Sequence, residues 1–504
     1  MIQSILVLGG GSAGLLAALS LRVRMRQLPI RLVYSREIGI IGVGEGSTVD
    51  LPRHLHGFLG LDMARFFADV RPTFKLGIHF QWGARGTFNY PFTTPITDRV
   101  EGLPKTAGFY SWDDFNGLDL NSALMQRGKA FARNSEGRPV LEQDLGYHIE
   151  NATFVGYLEK CARANGIEMI EGRVVDVEKN ERGVAAVRLE SGARLEADLF
   201  IDASGFRSEL LGRALEEPFI SFDDSLFCDR AVAGGWERTD EPLLPYTTAQ
   251  TMDAGWSWQI EHERHVNRGY VYSSAFISDA DAEAEFRRMN PRLASTRIVK
   301  FRTGRYRRSW VGNVVAIGNS AGFVEPLEAT ALLVVCQQAR LLALALAESG
   351  CDPQPTAAEF LNAVMARFWD EIRDFLAIHY RFNAQKETPF WEHCRKETAL
   401  HGAERIVRCY QENGPTTLFE MELLNPTTSL FHLEGFYALL LGQKLPHRKT
   451  GELSQAERVI WETHRHRMAA AAENGMYLKE GLQAMRQPGW RFPRWDRKDG
   501  KTSR

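Results

Sequence analysis

Residues 5–23, ILVLGGGSAGLLAALSLRV, decide the fold class of this chain. The short apolar run Ile5–Leu8 is typical of a strand that is buried on both faces of a sheet. Three glycines with G-x-G-x-x-G spacing follow it, and residues 15–23 then have the pattern of a helix. A second apolar run at residues 30–34 completes a βαβ unit. The stretch therefore predicts an α/β protein that opens with a doubly wound, Rossmann-type sheet.

The glycine-rich turn predicts a site for the pyrophosphate of a dinucleotide. Gly9 allows a tight turn, Gly11 lets the backbone approach the ligand, and Gly14 lets the helix pack closely on the strand. The N–H groups of Ser12 and Ala13 then lie at the helix N-terminus, where phosphate oxygens are stabilised. A glycine-rich turn that binds no ligand is the alternative interpretation.

The second strand ends at Tyr34 without the acidic residue that commonly binds the ribose of a dinucleotide. The ribose is then held in another way, or binding is weak. The absence of a second G-x-G-x-x-G motif indicates one dinucleotide rather than FAD together with NAD(P)H. The segment 39–46, GIIGVGEG, lies where backbone can approach a flat ring, and its candidate cofactor contacts are Gly42, Val43, Gly44 and Glu45.

The rest of the chain predicts further strands and then helices. Residues 36–110 are rich in glycine and aromatic residues and look like an excursion from the first sheet. Residues 168–189 predict strands around a turn, and alternating aromatic residues over 225–300 predict a mainly antiparallel second sheet. From about residue 328 onward helical patterns dominate, most clearly at 357–380 and 453–484.

We therefore predict three parts of the chain. Residues 1–330 form a cofactor-binding module with an inserted antiparallel sheet, and residues 331–485 form a mainly helical, substrate-binding part. The tail 486–504 has seven basic and two acidic residues, and we expect it to be a loose, solvated segment.

Composition excludes several classes of function. The 504 residues carry 61 Lys and Arg against 63 Asp and Glu, a formal charge of −2. This balance gives no electrostatic reason to expect nucleic acid or an anionic membrane as partner. The hydrophobic fraction of 44% excludes a wholly disordered chain. The six cysteines form no C-x-x-C pair, so we expect neither a zinc ribbon nor any other metal site.

Two apolar stretches resemble targeting or membrane segments. Residues 4–21 lack a preceding positive charge and a following cleavage site, and the dinucleotide motif explains their small residues better. Residues 329–347 contain Gln337, Gln338 and Arg340, which are costly in lipid, so we expect a buried helix. We predict a cytoplasmic protein.

Together, several segments resemble the flavin-dependent halogenases of the tryptophan/indole type over roughly residues 2–445. The W-x-W-x-I motif is the most specific of them, because ordinary flavin monooxygenases lack it. The matching segments are Gly9–Gly14, IGVGEG at 41–46, Phe74-Lys75, GWSWQI at 255–260, GNSAGFVEPLEAT at 318–330, IRDF at 372–375, His379-Tyr380 and TPFW at 388–391.

This resemblance implies a two-site oxidation. Reduced FAD reacts with O2 to form a flavin hydroperoxide, which a chloride or bromide ion converts to hypohalous acid. The acid passes through an internal tunnel to Lys75, where it halogenates an electron-rich ring such as indole or tryptophan. A separate NAD(P)H-dependent flavin reductase supplies the reduced FAD without binding tightly. The alternatives are a flavin-dependent aromatic hydroxylase on the same scaffold and a non-catalytic flavin-binding protein.

Lys75 and Glu328 match the family's two catalytic residues. An ammonium can donate a hydrogen bond to hypohalous acid, whereas a neutral amine can form a haloamine. A carboxylate near the ring stabilises the cationic adduct and can take the ring proton. The alternatives are a surface lysine, and a carboxylate of Glu325 or Glu328 that caps the following helix.

Further roles follow from the resemblance. Trp256 and Trp258 point to the same face of a strand and can separate the flavin from the organic substrate, or they can simply pack in the core. The residues that bind the halide are Thr330 and Ala331, whose backbone N–H groups suit an anion. Additional cofactor contacts are Gly318 and Phe323. The family pattern differs at Ala329, where Ser is usual, at Ala331, where Gly is common, and at Glu261, where Pro is usual.

Candidate residues for stacking an aromatic substrate are Phe92, Phe431, Phe436 and Tyr437. At helical spacing such residues belong to the core more often than to a ligand site. No residues clearly anchor the amine and carboxylate of free tryptophan. Indole, a substituted indole and another electron-rich ring therefore remain alternatives to tryptophan itself.

Overall fold

A computed structural model of the chain describes residues 1–37, 44–93, 96–142 and 144–493. The candidate cofactor residues Gly42 and Val43 lie outside these ranges, as do residues 494–504 of the predicted tail. The described part of that tail, residues 486–493, is not loose: the rings of Phe492 and Phe67 have centroids 4.9 Å apart, and Arg486 pairs with Glu263 at 2.6 Å.

The strands of the described residues are numbered in chain order. They are β1 (Ile5–Leu8), β2 (Ile30–Tyr34), β3 (Glu45–Gly46), β4 (Thr73–Lys75), β5 (Gly77–Gln81), β6 (Thr87–Pro91), β7 (Lys129–Phe131), β8 (Gly146–Ile149), β9 (Glu168–Glu171), β10 (Val174–Asn180), β11 (Gly183–Leu189), β12 (Arg194–Glu196), β13 (Leu199–Asp202), β14 (Phe219–Ser221), β15 (Arg230–Glu237), β16 (Tyr246–Met252), β17 (Gly255–Glu261), β18 (His265–Tyr272), β19 (Thr296–Lys300), β20 (Gly304–Tyr306), β21 (Trp310–Val311), β22 (Val314–Ala316), β23 (Gly322–Phe323) and β24 (Met476–Tyr477).

The α-helices are numbered in the same way. They are α1 (Ser12–Arg24), α2 (Asp50–Pro52), α3 (Met63–Val70), α4 (Ala107–Tyr110), α5 (Leu120–Gln126), α6 (Asn151–Ala164), α7 (Asp279–Met289), α8 (Thr330–Glu348), α9 (Pro355–Arg381), α10 (Pro389–Glu397), α11 (Ala403–Asn413), α12 (Glu420–Leu423), α13 (His432–Gly442), α14 (Gln455–Glu473) and α15 (Leu478–Met485).

The first sheet has the strand order β21-β22-β13-β1-β2-β9. Its five strands from β22 to β9 are parallel, and only the edge strand β21 is antiparallel. All four residues of β1 are buried, as expected for a central parallel strand. Helix α1 packs against α6 and α8. The predicted Rossmann-type α/β unit is therefore present.

The second sheet has the order β19-β15-β18-β17-β16-β5-β6 and is antiparallel except where β5 pairs with β16. Strands β5 and β6 come from residues 36–110, so this predicted excursion contributes two strands to the added sheet. A third, small sheet has the order β3-β8-β4. It places Glu45, at the start of β3, and Lys75, at the end of β4, on either side of the central strand β8.

The C-terminal part is mainly helical, as predicted, with one difference. The single helix expected over 453–484 is divided into α14 and α15 by the strand β24, which pairs with β7. The division lies at Gly475, where a Cβ atom would be 2.4 Å from the Leu124 side chain. This close approach requires glycine, and pairing with a distant strand overrides the local helical pattern.

Helix α8 is long and apolar enough to cross a membrane by length and composition alone. However, 61% of its most apolar window is buried inside the protein, where it packs against α1 and α9. Its apolar character is therefore explained by core packing, and the predicted buried helix is confirmed.

Candidate active site

The glycine-rich turn lines a cavity of about 490 Å³ beside the ends of β1 and β2. A Cβ atom at Gly9 would lie 2.2 Å from the Ala203 carbonyl oxygen, and one at Gly14 would lie 1.9 Å from the Gly9 carbonyl oxygen. A Cβ atom at Gly11 would have no described atom within 4 Å. Two of the glycines therefore allow close packing, and the third leaves room for a ligand at the N-terminus of α1.

An acidic residue does lie beside the end of β2, although it comes from another strand. Glu171 ends the neighbouring strand β9, and its Oε2 accepts a hydrogen bond from the Tyr34 hydroxyl at 3.5 Å. The Arg36 Nε is 3.6 Å from the same carboxylate. Sequence reasoning missed Glu171 because only the strand order brings β9 next to β2.

A second cavity of about 180 Å³ adjoins the first. Glu45, Asn319 and Ala331 line both cavities, so an extended ligand can occupy the two together. Apolar side chains dominate the second cavity, which suits a flat aromatic ring. They are Ala231, Ala233, Trp258, Ile260, Val271, Val299, Phe301, Phe323 and Leu327. A glycine-rich turn next to an apolar compartment fits the pyrophosphate and the flavin ring of FAD.

The predicted cofactor residues divide between the cavities. Gly44 lines the second cavity with a φ of +83°, and a Cβ atom there would lie 2.5 Å from His262. Burial raises the pKa of Glu45 to about 7, and Asn151 Nδ2 donates to its Oε1 at 3.0 Å. Gly318 lies beneath the site, where its N–H group donates to Gln338 Oε1 at 2.8 Å.

Lys75 is a completely buried lysine that lines the second cavity. Its Nζ has no hydrogen-bond partner among the described residues and lies 5.3 Å from the centroid of the Phe92 ring. Burial lowers the pKa of Lys75 to about 7, while the charge of Glu328 acts in the opposite direction. A Cβ atom at Gly46 would lie 3.2 Å from this nitrogen, so glycine there leaves space for the amine. The surface-lysine alternative is therefore wrong.

Glu328 is also buried, with 2% of its surface exposed. Its Oε1 lies 2.7 Å from the Nε2 of His379, on α9. Sequence reasoning quoted His379 only as part of a matching segment, because nothing local shows that α9 turns it towards Glu328. The contact joins helix α9, in the helical part, to the cofactor-binding module.

Glu325 lies three residues before Glu328 and has different partners. Its Oε1 accepts hydrogen bonds from the Trp256 Nε1, at 3.2 Å, and from the Tyr380 hydroxyl. Burial raises the pKa of Glu325 to about 7. Among the described residues no side chain caps α8, which begins after Ala329. The alternative in which either carboxylate caps this helix is therefore wrong.

The segment Ala329–Ala331 has an unusual backbone. Ala329 has a φ of +56°, a left-handed conformation that costs a residue with a Cβ atom about 1–2 kcal/mol. Thr330 is buried at the start of α8, and Ala331 faces both cavities. The first N–H groups of α8 thus lie near the cavities without a side-chain cap, as an anion site requires.

Trp256 and Trp258 lie side by side on β17, with ring centroids 6.0 Å apart. Trp258 faces the second cavity and lies on Gly269, where a Cβ atom would be 2.0 Å from its ring. Trp256 lies behind it and is held by Glu325. Both tryptophans are buried, so core packing and the formation of a cavity wall are compatible here.

Glu261 replaces the proline that is usual in the family with a buried ion pair. Its carboxylate pairs with Arg238, and only 0% and 7% of the two side chains is exposed. Gln259 Nε2 donates to the same carboxylate at 2.6 Å. The backbone oxygen of Glu261 accepts from Thr73 Oγ1 at 2.5 Å, which ties the end of β17 to the strand that carries Lys75.

The structure brings some predicted substrate residues together. Phe431 stacks on Phe375 with a centroid distance of 3.7 Å, and Phe436 meets Phe375 edge-on at 4.9 Å. Phe92 lies next to Lys75. Tyr437 instead packs on Tyr410, and its hydroxyl donates to Cys409 Sγ at 3.8 Å. Tyr437 therefore contacts residues of α11, whereas Phe431 and Phe436 contact Phe375 of α9.

Comparison with known proteins gives consistent results. The sequence model of the family described as tryptophan halogenase matches residues 4–458. The chain is 32% identical to the tryptophan 7-halogenase KtzQ of Kutzneria sp. (strain 744), with 83% of each chain covered. It is 29% identical to the tryptophan 7-halogenase RebH of Lentzea aerocolonigenes, with 81% of this chain and 82% of that one covered. The crystal structure of MibH, a lathipeptide tryptophan 5-halogenase, superposes with a TM-score of 0.88 and 37% identity, covering 96% of this chain and 93% of that one.

Replacement of Lys75 by methionine should stabilise the protein in a pH-dependent way, because methionine has no charge to desolvate. Folding lowers the pKa of Lys75 from 10.5 to about 7. Between these values the folded protein binds fewer protons than the unfolded chain, so wild-type stability rises with pH. The gain of Lys75→Met should be greatest at pH 7 and below, on the order of 5 kcal/mol at about 1.4 kcal/mol per pKa unit, and disappear towards pH 10.5.

Urea unfolding between pH 6 and pH 10 measures this difference. Lys129→Met is the matched control, since Lys129 is also buried but donates a hydrogen bond to the Glu473 carbonyl oxygen. A gain for Lys75→Met that is equal at all pH values would contradict the assigned burial of a charge.

Proposed function

The chain belongs to the tryptophan halogenase family, and on this premise we propose that it halogenates an electron-rich aromatic ring at Lys75. One observation carries the proposal: a fully buried amine without a hydrogen-bond partner among the described residues lines the apolar cavity. A family of flavin-dependent halogenases needs such a group, because a buried donor can bind and activate a small oxidant away from water.

FAD would be held by the glycine-rich turn and by the residues shared between the two cavities. Reduced FAD, when bound, would give two electrons to O2, and the resulting peroxide-level oxygen would oxidise the halide to hypohalous acid. The uncapped N–H groups at Thr330 and Ala331 would bind the halide, and Trp258, Phe323 and Gly44 would enclose the ring compartment. A separate flavin reductase would deliver the reduced cofactor. Six unpaired cysteines fit a reducing, cytoplasmic setting for this exchange.

Lys75 would receive the hypohalous acid from the cavity. With no acceptor bound, its ammonium can donate a hydrogen bond to the oxygen of the acid and make the halogen more electrophilic. The wall formed by Trp258, with Trp256 behind it, would keep the organic substrate away from the cofactor. Bromide or chloride can serve in this scheme, since both form a neutral acid that crosses an apolar passage.

Glu328 would act on the aromatic ring. As the ring attacks the halogen, a carbon–halogen bond forms and the oxygen leaves as water after taking a proton. The ring carbon then loses its hydrogen as a proton to the Glu328 carboxylate, and the electrons of that C–H bond restore aromaticity. Phe92, Phe431 and Phe436 would hold the ring during these steps.

The aromatic ring belongs, in our proposal, to a tryptophan within a peptide. The chain is 37% identical to MibH, whose description gives a lathipeptide tryptophan as the target, against 32% and 29% for two tryptophan 7-halogenases. In addition, Leu418 and Met421 are each 84% exposed in the segment that leads to Phe431. Such apolar side chains can contact the flanking residues of a peptide but not free indole.

Lys75→Ala should abolish halogenation and leave reoxidation of reduced FAD by O2 intact, because the variant removes the acceptor of the oxidant rather than its source. Mass spectrometry of indole incubated with FAD, NADH, a flavin reductase and bromide measures the product. Lys129→Ala, a change at another buried lysine, should keep wild-type activity. Halogenated product from Lys75→Ala would contradict the role of this amine, and addition of one oxygen by the wild type would indicate a hydroxylase.

Gly11→Val should weaken FAD binding by at least roughly ten-fold, the effect of losing a few contacts to the pyrophosphate, and leave stability nearly unchanged. Its side chain would enter open space at the N-terminus of α1. Gly14→Ala, the comparison variant, should unfold at lower urea concentration, since its Cβ atom meets the Gly9 carbonyl oxygen. Flavin fluorescence titration and urea unfolding measure the two effects, and unchanged FAD affinity in Gly11→Val would exclude this turn as the phosphate site.

A peptide with one internal tryptophan should show a higher kcat/KM than free tryptophan or indole. The double change Leu418→Ser and Met421→Ser should lower kcat/KM by at least about ten-fold for the peptide, since burying even one such side chain contributes about 1.5–3 kcal/mol. It should leave indole unaffected. Phe360→Ser, at another exposed apolar residue, should change neither substrate. Preference for free tryptophan would show that the substrate is not carried by a peptide.

A further inference from the structure

His379 contacts the proposed catalytic carboxylate directly, and neither side chain is open to solvent. Its Nε2 is 2.7 Å from Glu328 Oε1, with 0% and 2% of the two side chains exposed. The other ring nitrogen, Nδ1, lies 3.0 Å from the carbonyl oxygen of Phe375, one helical turn earlier on α9. The imidazole is therefore held at both ends.

The two contacts decide how many protons the pair holds. A carbonyl oxygen only accepts hydrogen bonds, so Nδ1 must carry a proton that it donates to Phe375. The 2.7 Å contact between Nε2 and Oε1 also needs a proton, because two lone pairs repel each other at this distance. The pair thus holds one proton more than a carboxylate next to a neutral imidazole.

Aromatic side chains hold this imidazole in one orientation. Its ring centroid lies 5.3 Å from that of Phe80 and 6.2 Å from that of Trp82. The Trp82 Nε1 also donates to the His379 carbonyl oxygen at 2.8 Å. A side chain that is packed between aromatic rings and bonded at both nitrogens cannot turn away, so Glu328 Oε1 stays occupied and Oε2 remains available for another partner.

Glu325 shows what burial does to a nearby carboxyl without such a partner. It accepts hydrogen bonds from an indole and a phenol, which are neutral donors, and its pKa is raised to about 7. An imidazole can carry a full positive charge, so it compensates a buried carboxylate far better than a neutral donor does.

We propose that His379 is the positioning residue of Glu328: as an imidazolium it keeps the buried carboxylate ionised and leaves Oε2 free to take the ring proton. This inference rests on the proposed function for the role of Oε2, but the charge state of the pair does not. The other titratable groups that face Glu328 are Lys75, from β4, and Tyr90, from β6.

The charge state is tested first, in a measurement that needs no turnover. The full chain is labelled with 15N in its histidines, and the signals of His379 are identified by their loss in His379→Gln. At pH 8 the wild type should show both nitrogens of His379 protonated, and Glu328→Gln should convert this residue to the neutral form. A neutral His379 in the wild type would overturn the proposal, whether or not the protein is a halogenase.

The effect on the reaction is tested by kinetics of the same variants. Glutamine at position 379 can still donate a hydrogen bond but cannot carry charge, so kcat at pH 7 should fall roughly 10- to 100-fold, less than the whole contribution of a positioned acid or base. In the pH profile of kcat, the fall on the acidic side should move to higher pH. The reason is that no imidazolium remains at position 379 to keep the Glu328 carboxylate ionised. A purely structural role would lower kcat without moving this fall.

Two further variants decide whether the effect passes through Glu328. In the Glu328→Gln background, His379→Gln should change kcat less than two-fold, since the two residues act as one unit. Additive losses would overturn the proposal. His401→Gln is the control: His401 Nε2 lies 2.8 Å from Asp224 Oδ2 but the pair is exposed, and this change should leave kcat and its pH profile as in the wild type.

Discussion

The enclosure of the Lys75 amine is the constraint on which the rest of the site depends. An ammonium loses most of its hydration when it is buried, and here a single aromatic ring and the more distant Glu328 compensate it only in part. The surrounding fold has to hold the amine in place. Phe74, the residue before it, packs against Tyr147 and Phe131, so the short strand β4 is fixed by the aromatic side chain that points away from the cavity.

The two carboxyl groups before α8 have partners of different kinds, neutral donors for Glu325 and an imidazole for Glu328. Glu325 is held by neutral donors and in turn fixes Trp256, which supports the cavity wall. Glu328 is only three residues later, yet it meets a side chain that can carry a positive charge. In the proposed function, one short segment thus serves both the cavity wall and the chemistry, because its two carboxyl groups contact different elements.

The local pattern predicted the first sheet well but could not predict contacts between distant segments. The apolar run, the glycine spacing and the helix after them are sufficient to give β1, α1 and β2, since each rests on short-range rules. Glu171 beside Tyr34, and the strand β24 that divides the last helix, depend on which strands become neighbours. The pairing of His379 with Glu328 depends in the same way on how α9 packs, so the sequence indicated both residues without indicating their contact.

At Glu261, where the family resemblance leads us to expect proline, the end of β17 is held by contacts of the side chain and of the backbone oxygen. Proline restricts the backbone through its ring and removes an N–H donor, whereas Glu261 keeps its place in the ladder opposite Val266. The restraint comes instead from the buried pair with Arg238 and from the hydrogen bond that the backbone oxygen accepts from Thr73. Thr73 and Lys75 lie on the same strand, β4. The hydrogen bond therefore fixes the strand of the buried amine relative to the second sheet. The ion pair therefore supplies a connection between strands where a proline would restrict the chain locally, and it helps to hold the end of β17 next to the strand that carries Lys75.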